Sequence, residues 1–191
     1  MSVSIPRPKE EQSKPRATLF LAPNKILHGK SQYLGGEQAN NGKIYCIPGH
    51  SSQVLVIDPT TSPETLYTIG PKFEGEYKWL RGLRAPNGIL YGLPCHADSV
   101  MRIDPLADTV TTIPRNIDKK GLFVPWKYHG GTLCPIDECI YAIPQSAPYV
   151  LKVNPRTDEV SYVGKELPGK YKWLVIAQVS SHFHHAGCGV A

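Results

Sequence analysis

The chain has 191 residues, a formal net charge of +5 and a hydrophobic fraction of 41%, so it is long enough to bury a core of ordinary size. Its 17 glycines and 18 prolines are more than a helical bundle tolerates. No apolar run reaches the roughly 18 residues of a membrane-spanning helix. Length and composition therefore predict a turn-rich, all-β protein without a membrane span.

The first 20 residues are predicted to be a basic, disordered tail. Residues 1–30 contain six basic and two acidic side chains, whereas the rest of the chain is close to neutral. A nucleic-acid-binding domain carries its basic charge on the folded part, so we expect no nucleic-acid partner. The tail lacks the apolar stretch of a secretory signal, which predicts a cytoplasmic protein.

Residues 21–175 are built from a repeat with two elements. The first element reads NGKIYCIP from Asn41, NGILYGLP from Asn87 and DECIYAIP from Asp137. The second element reads VLVIDP from Val54, VMRIDP from Val100 and VLKVNP from Val150. The two elements begin 13 residues apart in every copy, and the copies follow one another after 46 and 50 residues. Periods of this length are typical of solenoids and propellers.

Each copy predicts four short strands. In the middle copy they cover Trp79–Ala85, Ile89–Leu93, Val100–Ile103 and Thr109–Ile113. An Asn-Gly pair supplies the positive φ angles of a tight hairpin turn, and an Asp-Pro pair closes the third strand. Four antiparallel strands per repeat make one propeller blade. The predicted blades cover about residues 33–76, 77–126 and 127–170, with partial repeats at both ends.

The propeller is predicted to be incomplete. Before the first blade, Ala22–Gly29 resembles the hairpin at Ala85–Gly92, and after the third blade Trp173 begins a fourth copy that loses the pattern. Residues 176–191 are predicted to be an irregular tail. Propellers close with four to eight blades. We therefore expect either self-association or a larger protein assembly that completes the propeller, with an open arc as the third alternative.

The pattern from Val100 to Ile113 resembles the blades of β-propellers of the virginiamycin-B-lyase-like, YVTN and NHL type. The resemblance covers roughly residues 33–175 and implies an all-β propeller fold. These families include lyases, lactonases, binding modules and scaffolds, so the resemblance implies no single activity. No catalytic residue of these families maps onto this sequence.

Residues that recur in every copy are interpreted as scaffold. The series Asp58, Asp104 and Asn154 is predicted to make turns. The series Tyr45, Tyr91 and Tyr141 is predicted to pack inside, with its hydroxyls reaching the rim. The aromatic residues that begin the inner strands, Tyr33, Trp79, Tyr128 and Trp173, are predicted to pack between blades.

Candidate ligand-binding residues lie where the copies differ. His50 and His96 occupy equivalent loop positions on adjacent blades, and a histidine pair suits a general base or a metal. Arg81 and Arg84 lie on a predicted inner strand and suit a carboxylate or phosphate group. His129 follows the aromatic residue of the third blade.

We predict no metal and no cofactor. The five cysteines form no Cys-x-x-Cys pair and are predicted to be free thiols. The C-terminal group of His182, His184, His185 and Cys188 has irregular spacing in a small-residue tail. No dinucleotide fingerprint, P-loop or nucleophile elbow is present.

Two functions are compatible with the sequence. The first is a non-catalytic binding or scaffold module that makes protein contacts through open blade edges. The alternative is a lyase- or lactonase-like propeller enzyme acting on a small anionic substrate at the central channel. In that enzyme His50, His96 or His129 is the base, and Arg81 or Arg84 holds the substrate.

Overall fold

The computed structural model describes residues 29–114 and 124–173, which form antiparallel sheets without helices. The first sheet contains β1 (Tyr33–Gln38), β2 (Ile44–Pro48), β3 (Val54–Asp58) and β4 (Thr65–Ile69). The second contains β5 (Trp79–Arg84), β6 (Leu90–Pro94), β7 (Ser99–Asp104) and β8 (Thr109–Pro114). The third contains β9 (Tyr128–Leu133), β10 (Ile140–Pro144), β11 (Val150–Asn154) and β12 (Glu159–Val163).

Some predicted features fall outside these ranges. They are the basic tail, nearly all of the partial N-terminal repeat, the C-terminal tail and its histidine group. Within the described residues, no helix is long and apolar enough to cross a membrane.

Each sheet is a meander whose strands pair in chain order. Each sheet also lies inside one predicted repeat, which confirms the all-β fold and the four-stranded blade. The inner strands β1, β5 and β9 contact one another in succession. The three blades are therefore arranged side by side around a common axis, as in an incomplete propeller.

The predicted turn residues cap their own turns. The side chains of Asn41 and Asn87 each accept a hydrogen bond from the amide two residues on, at 3.0 and 3.1 Å. After the third strands, Asp58, Asp104 and Asn154 do the same for the amides of Thr60, Leu106 and Arg156. Because the side chain replaces a backbone partner, each turn is specified locally.

The core lies between the blades, because successive residues of a strand face opposite neighbours. Leu90, Met101 and Ile103 of the middle sheet pack with residues of the first sheet. Tyr91, Leu93 and Val100 alternate with them and pack with residues of the third sheet. The middle blade is thus buried on both faces. In the described residues each outer blade has a neighbouring sheet on one face only.

The repeated glycine of the inner strands makes room for the preceding blade. A Cβ at Gly82 would lie 2.9 Å from the Ile47 side chain. A Cβ at Gly131 would lie 2.6 Å from Leu93 Cδ1. Only a residue without a side chain lets the two sheets approach this closely.

Candidate functional site

One end of the blade array carries a belt of backbone hydrogen bonds between adjacent blades. In each case the lysine of a Lys-Trp or Lys-Tyr pair donates its amide to the carbonyl of the residue that follows the second strand of a blade. The pairs are Lys78 to Gly49 at 3.2 Å, Lys127 to Cys95 at 3.0 Å and Lys172 to Gln145 at 2.9 Å. The belt fixes the spacing of successive blades.

The side chains of these lysines also join adjacent blades. Lys78 and Lys127 are only 4% and 2% exposed, which is rare for lysine. Lys78 Nζ donates to the carbonyls of Gly49 and Gly75 at 2.8 and 2.9 Å. Burial lowers the pKa of Lys78. The repeated Lys-Trp or Lys-Tyr pair was visible in the sequence, but its role depends on contacts between blades.

The three candidate histidines meet at this end in one aromatic cluster, formed by His50, Tyr77, His96, Trp126 and His129. The rings alternate along the cluster, with an aromatic side chain between successive histidines. Centroid distances are 4.3 Å for His50–Tyr77, 5.4 Å for Tyr77–His96, 4.8 Å for His96–Trp126 and 5.6 Å for Trp126–His129. Sequence reasoning missed Tyr77 and Trp126, whose positive φ angles of 47° and 58° turn them into the cluster.

The imidazole rings of the cluster lie in a poorly solvated environment. The Nε2 atoms of all three histidines are buried without a hydrogen-bond partner. Burial lowers the pKa of His96, helped by the charge of Lys127 and opposed by Glu76, and burial also lowers the pKa of His129. Among the described residues, no group of three or more metal-ligating side chains could hold a metal ion. The geometry favours ring packing over proton transfer to a ligand.

The lowered pKa values predict loss of stability in mild acid. A histidine whose folded-state pKa lies below the unfolded value of about 6.5 binds fewer protons when folded, so stability falls as pH drops through about 6.5. We expect the urea midpoint to decrease between about pH 7.5 and pH 5.5. The double variant His96→Phe/His129→Phe keeps an aromatic ring at both positions, and its urea midpoint should decrease less over the same pH range. An equal loss in both proteins would assign the effect to other groups.

The candidate arginines line a different cavity, the arginine cleft. It lies between the inner strands and has a volume of about 410 Å³. Arg81, Arg84, Glu37, Asn40 and Leu133 contribute to its walls, and none of its lining residues is a histidine. Arg84 Nη1 donates to Asn40 Oδ1 at 2.9 Å. The structure therefore brings the histidines together and the arginines together, but in separate places.

A second set of contacts clamps the blades at their other end. The Tyr45 hydroxyl donates to Asp108 Oδ1 at 2.8 Å, and burial raises the pKa of Tyr45 to about 12. The Tyr91 hydroxyl donates to Asp158 Oδ1 at 2.6 Å. Each tyrosine thus binds an aspartate of the next blade. Tyr141, the third member, instead donates to Asp137 of its own hairpin at 2.7 Å.

The outer face of the third sheet, with Tyr171 and Trp173 beside it, is here called the open edge. Trp79 is 2% exposed, packs on Phe73 at a centroid distance of 4.9 Å and donates to the Ser99 carbonyl at 2.8 Å. Its equivalent Trp173 is 46% exposed, and Tyr171, the equivalent of Tyr77, is 66% exposed. Within the described residues, these two large aromatic side chains lack the cover that their equivalents have.

Comparisons with known proteins support the fold. No protein-family profile matches the sequence, and no curated protein sequence matches it significantly. Solved structures do match. One is a catalytically inactive variant of virginiamycin B lyase from Staphylococcus aureus with quinupristin, at a TM-score of 0.57 and 12% identity over 75% of this chain and 44% of that chain.

Two further structures show the same relationship. A streptogramin B lyase matches with a TM-score of 0.56 and 15% identity, over 75% of this chain and 44% of that chain. The hydrazine synthase of Kuenenia stuttgartiensis matches with a TM-score of 0.52 and 14% identity, over 78% of this chain and 41% of that chain. The chain has the fold of a virginiamycin-B-lyase-like β-propeller and spans less than half the length of these structures.

Proposed function

We propose that this chain is a non-catalytic binding module that makes protein–protein contacts through its open edge. The observation that carries the proposal is the exposure of Tyr171 and Trp173. Both residues lie on a segment that is already bound to the third blade by backbone hydrogen bonds. A protein that supplies the next blade, a second copy of this chain included, would cover them.

The docking segment itself supports this function. Residues 70–79 lead from the first blade to the second, and residues 164–173 repeat their pattern. Gly70 and Gly164 have φ angles of 81° and 83°, and Gly75 and Gly169 have φ angles of 100° and 96°. The Phe73 and Leu167 amides donate to the carbonyls of Ser52 and Pro148, which occupy equivalent loops. The second segment is thus shaped to introduce a further blade.

The lysine of that segment also occupies its position in the belt. Lys172 Nζ donates to the carbonyls of Ala147 and Gly169 at 2.9 and 2.8 Å, as Lys78 does for Gly49 and Gly75. Residues 164–173 therefore repeat, as far as Trp173, the connection that joins the first blade to the second. What the described residues leave uncovered is the apolar surface that a next sheet would bury, and large uncovered apolar surfaces mark interaction sites.

We expect the purified 191-residue chain to self-associate through the open edge. Light scattering behind a sizing column should give a mass above the 21.1 kDa of one chain that rises with concentration. The double variant Tyr171→Ser/Trp173→Ser should weaken association about tenfold or more, because aromatic anchors dominate such contacts. Acrylamide quenching should show Trp173 shielded in the associated form.

A matched control distinguishes association through this surface from nonspecific association through other exposed apolar side chains. Leu106 is 94% exposed on a turn of the middle blade, away from the open edge, so Leu106→Ser should leave association unchanged. The double variant should keep the thermal midpoint of the wild-type monomer. A double variant that associates like wild type would contradict the proposed function, and a wild type that stays monomeric at all concentrations would exclude a second copy of this chain as the partner.

A further inference from the structure

Independently of the open edge, we propose that the arginine cleft binds a small monocarboxylate carried on an apolar group, and that Arg81 holds the carboxylate. The cleft is built from all three inner strands, with Glu37 on β1, Arg81 on β5 and Leu133 on β9. A site of this kind lies on the axis of the blade array, where three blades contribute to one surface. Its volume of about 410 Å³ is that of a small-molecule site.

Arg81 is the feature of the cleft that the fold does not use. Its side chain is exposed and forms no hydrogen bond or ion pair with any described residue. The equivalent residues of the neighbouring inner strands are Gly35 and Gly130. A Cβ at Gly130 would lie 3.9 Å from Arg81 Cδ, which leaves the arginine room beside β9. An unpaired guanidinium in a cleft has two parallel donors available for a planar carboxylate.

The other charges of the cleft favour a single negative charge on the ligand. Arg84 is held in place by Asn40 and adds a second positive charge. Glu37 is partly buried; burial raises its pKa, and the charges of Arg84 and Arg81 oppose that effect. With Glu37 ionised, the three groups sum to one positive charge. A monocarboxylate neutralises this charge, whereas a phosphate dianion would leave the occupied cleft with a net negative charge.

Part of the cleft wall is apolar and suits an apolar group on the ligand. Leu83, Ala85, Pro86 and Leu133 line the cleft beside the arginines. Leu83 and Ala85 are already buried in the core between the second and third blades, so this wall is rigid. Aliphatic and proline surfaces favour an aromatic or aliphatic body of modest size. Benzoate combines such a body with one carboxylate and is a suitable probe.

Titration of the 191-residue chain with benzoate, followed by ligand-observed NMR, tests the proposal. We expect saturable binding in the millimolar range, as is usual for a ligand of nine heavy atoms. Arg81→Met should weaken binding about tenfold or more, because it removes both charge-assisted hydrogen bonds. Arg81→Lys should recover only part of the loss, since lysine keeps the charge without the fork.

Two controls make the result specific. Arg156→Met removes the same charge from an exposed arginine that pairs with Glu138, outside the cleft, and should leave benzoate binding unchanged. Benzamide, which lacks the charge, should bind much more weakly than benzoate. The proposal is overturned if benzoate does not bind folded wild type at 50 mM, if Arg81→Met binds like wild type, or if inorganic phosphate binds more tightly than benzoate. Neither control involves the open edge, so failure of this site leaves the proposed function standing.

Discussion

Gly131→Ala is expected to lower the free energy of unfolding by about 2–3 kcal/mol, because the new methyl group would overpack the interface between the second and third blades. A Cβ at this position would lie 2.6 Å from Leu93 Cδ1 and 2.7 Å from the Tyr141 carbonyl oxygen. The carbonyl belongs to β10, which pairs with β9 in the same sheet, so the methyl group cannot shift towards it without distorting that sheet. The contact with Leu93 is therefore relieved only if the second and third sheets separate, which uncovers part of the core between them.

Urea denaturation followed by tryptophan fluorescence measures this loss, and the adjacent glycine supplies the control. A Cβ at Gly130 would meet its nearest heavy atom at 3.9 Å, which is an ordinary van der Waals contact. Gly130→Ala makes the same chemical change one residue away and should alter stability by less than about 0.5 kcal/mol. Equal effects of the two substitutions would show that backbone entropy, not contact between blades, decides the result.

Tyr91→Phe is expected to cost about 2 kcal/mol, because a buried hydrogen bond to a charged group is lost. The Tyr91 side chain is fully buried, and its hydroxyl donates to Asp158 Oδ1 of the third blade at 2.6 Å. Burial, reinforced by Asp158, raises the pKa of Tyr91, so the hydroxyl keeps its proton. Asp158 would retain its ion pair with Arg102 of the second blade at 3.0 Å but would lose the hydrogen bond from Tyr91.

Tyr141→Phe is the matched substitution at the open edge. Its hydroxyl donates to Asp137 within the same hairpin, so its removal does not separate blades and should change stability little. Chemical denaturation of both variants under the same conditions gives the comparison. If Tyr141→Phe were as damaging as Tyr91→Phe, the hydroxyl would act within the blade and the clamp would not join one blade to the next.

Both pairs of variants compare a contact between two blades with a change that leaves the contacts between blades intact. In repeat proteins, each unit contributes its own stability and that of its interfaces with its neighbours. Here the middle blade has two such interfaces within the described residues, and each outer blade has one. The same side chain is therefore worth more to stability in the middle blade than at the open edge.

The strands could be predicted from the sequence because their signals are local. The predicted third strand Val100–Ile103 lies inside the observed Ser99–Asp104, and the predicted fourth strand differs from Thr109–Pro114 by one residue. Asn-Gly and Asp-Pro pairs act through hydrogen bonds to amides two residues away. A repeat in the sequence then becomes a repeat in space, because identical local signals build identical sheets.

The candidate sites were only partly predictable. His50 and His96 were placed on one face of adjacent blades by their equivalent positions, and the aromatic cluster brings them together around Tyr77. Trp126 and the buried Lys127 were not singled out, because nothing in their local sequence shows that the preceding blade will cover them. The carbonyls that bind the Lys127 ammonium belong to His96 and Val124, and the first of these is 31 residues away.

The sequence by itself determined the all-β class, the four-stranded repeat and the turns, since these follow from side-chain period and turn chemistry within a few residues. Only the tertiary structure decided which residues share a site. It placed the histidines in a packed aromatic cluster and Arg81 with Arg84 in a separate cleft. The physical reason is that both groupings arise between blades, and the distance between residues of different blades depends on how sheets pack, which no local pattern encodes.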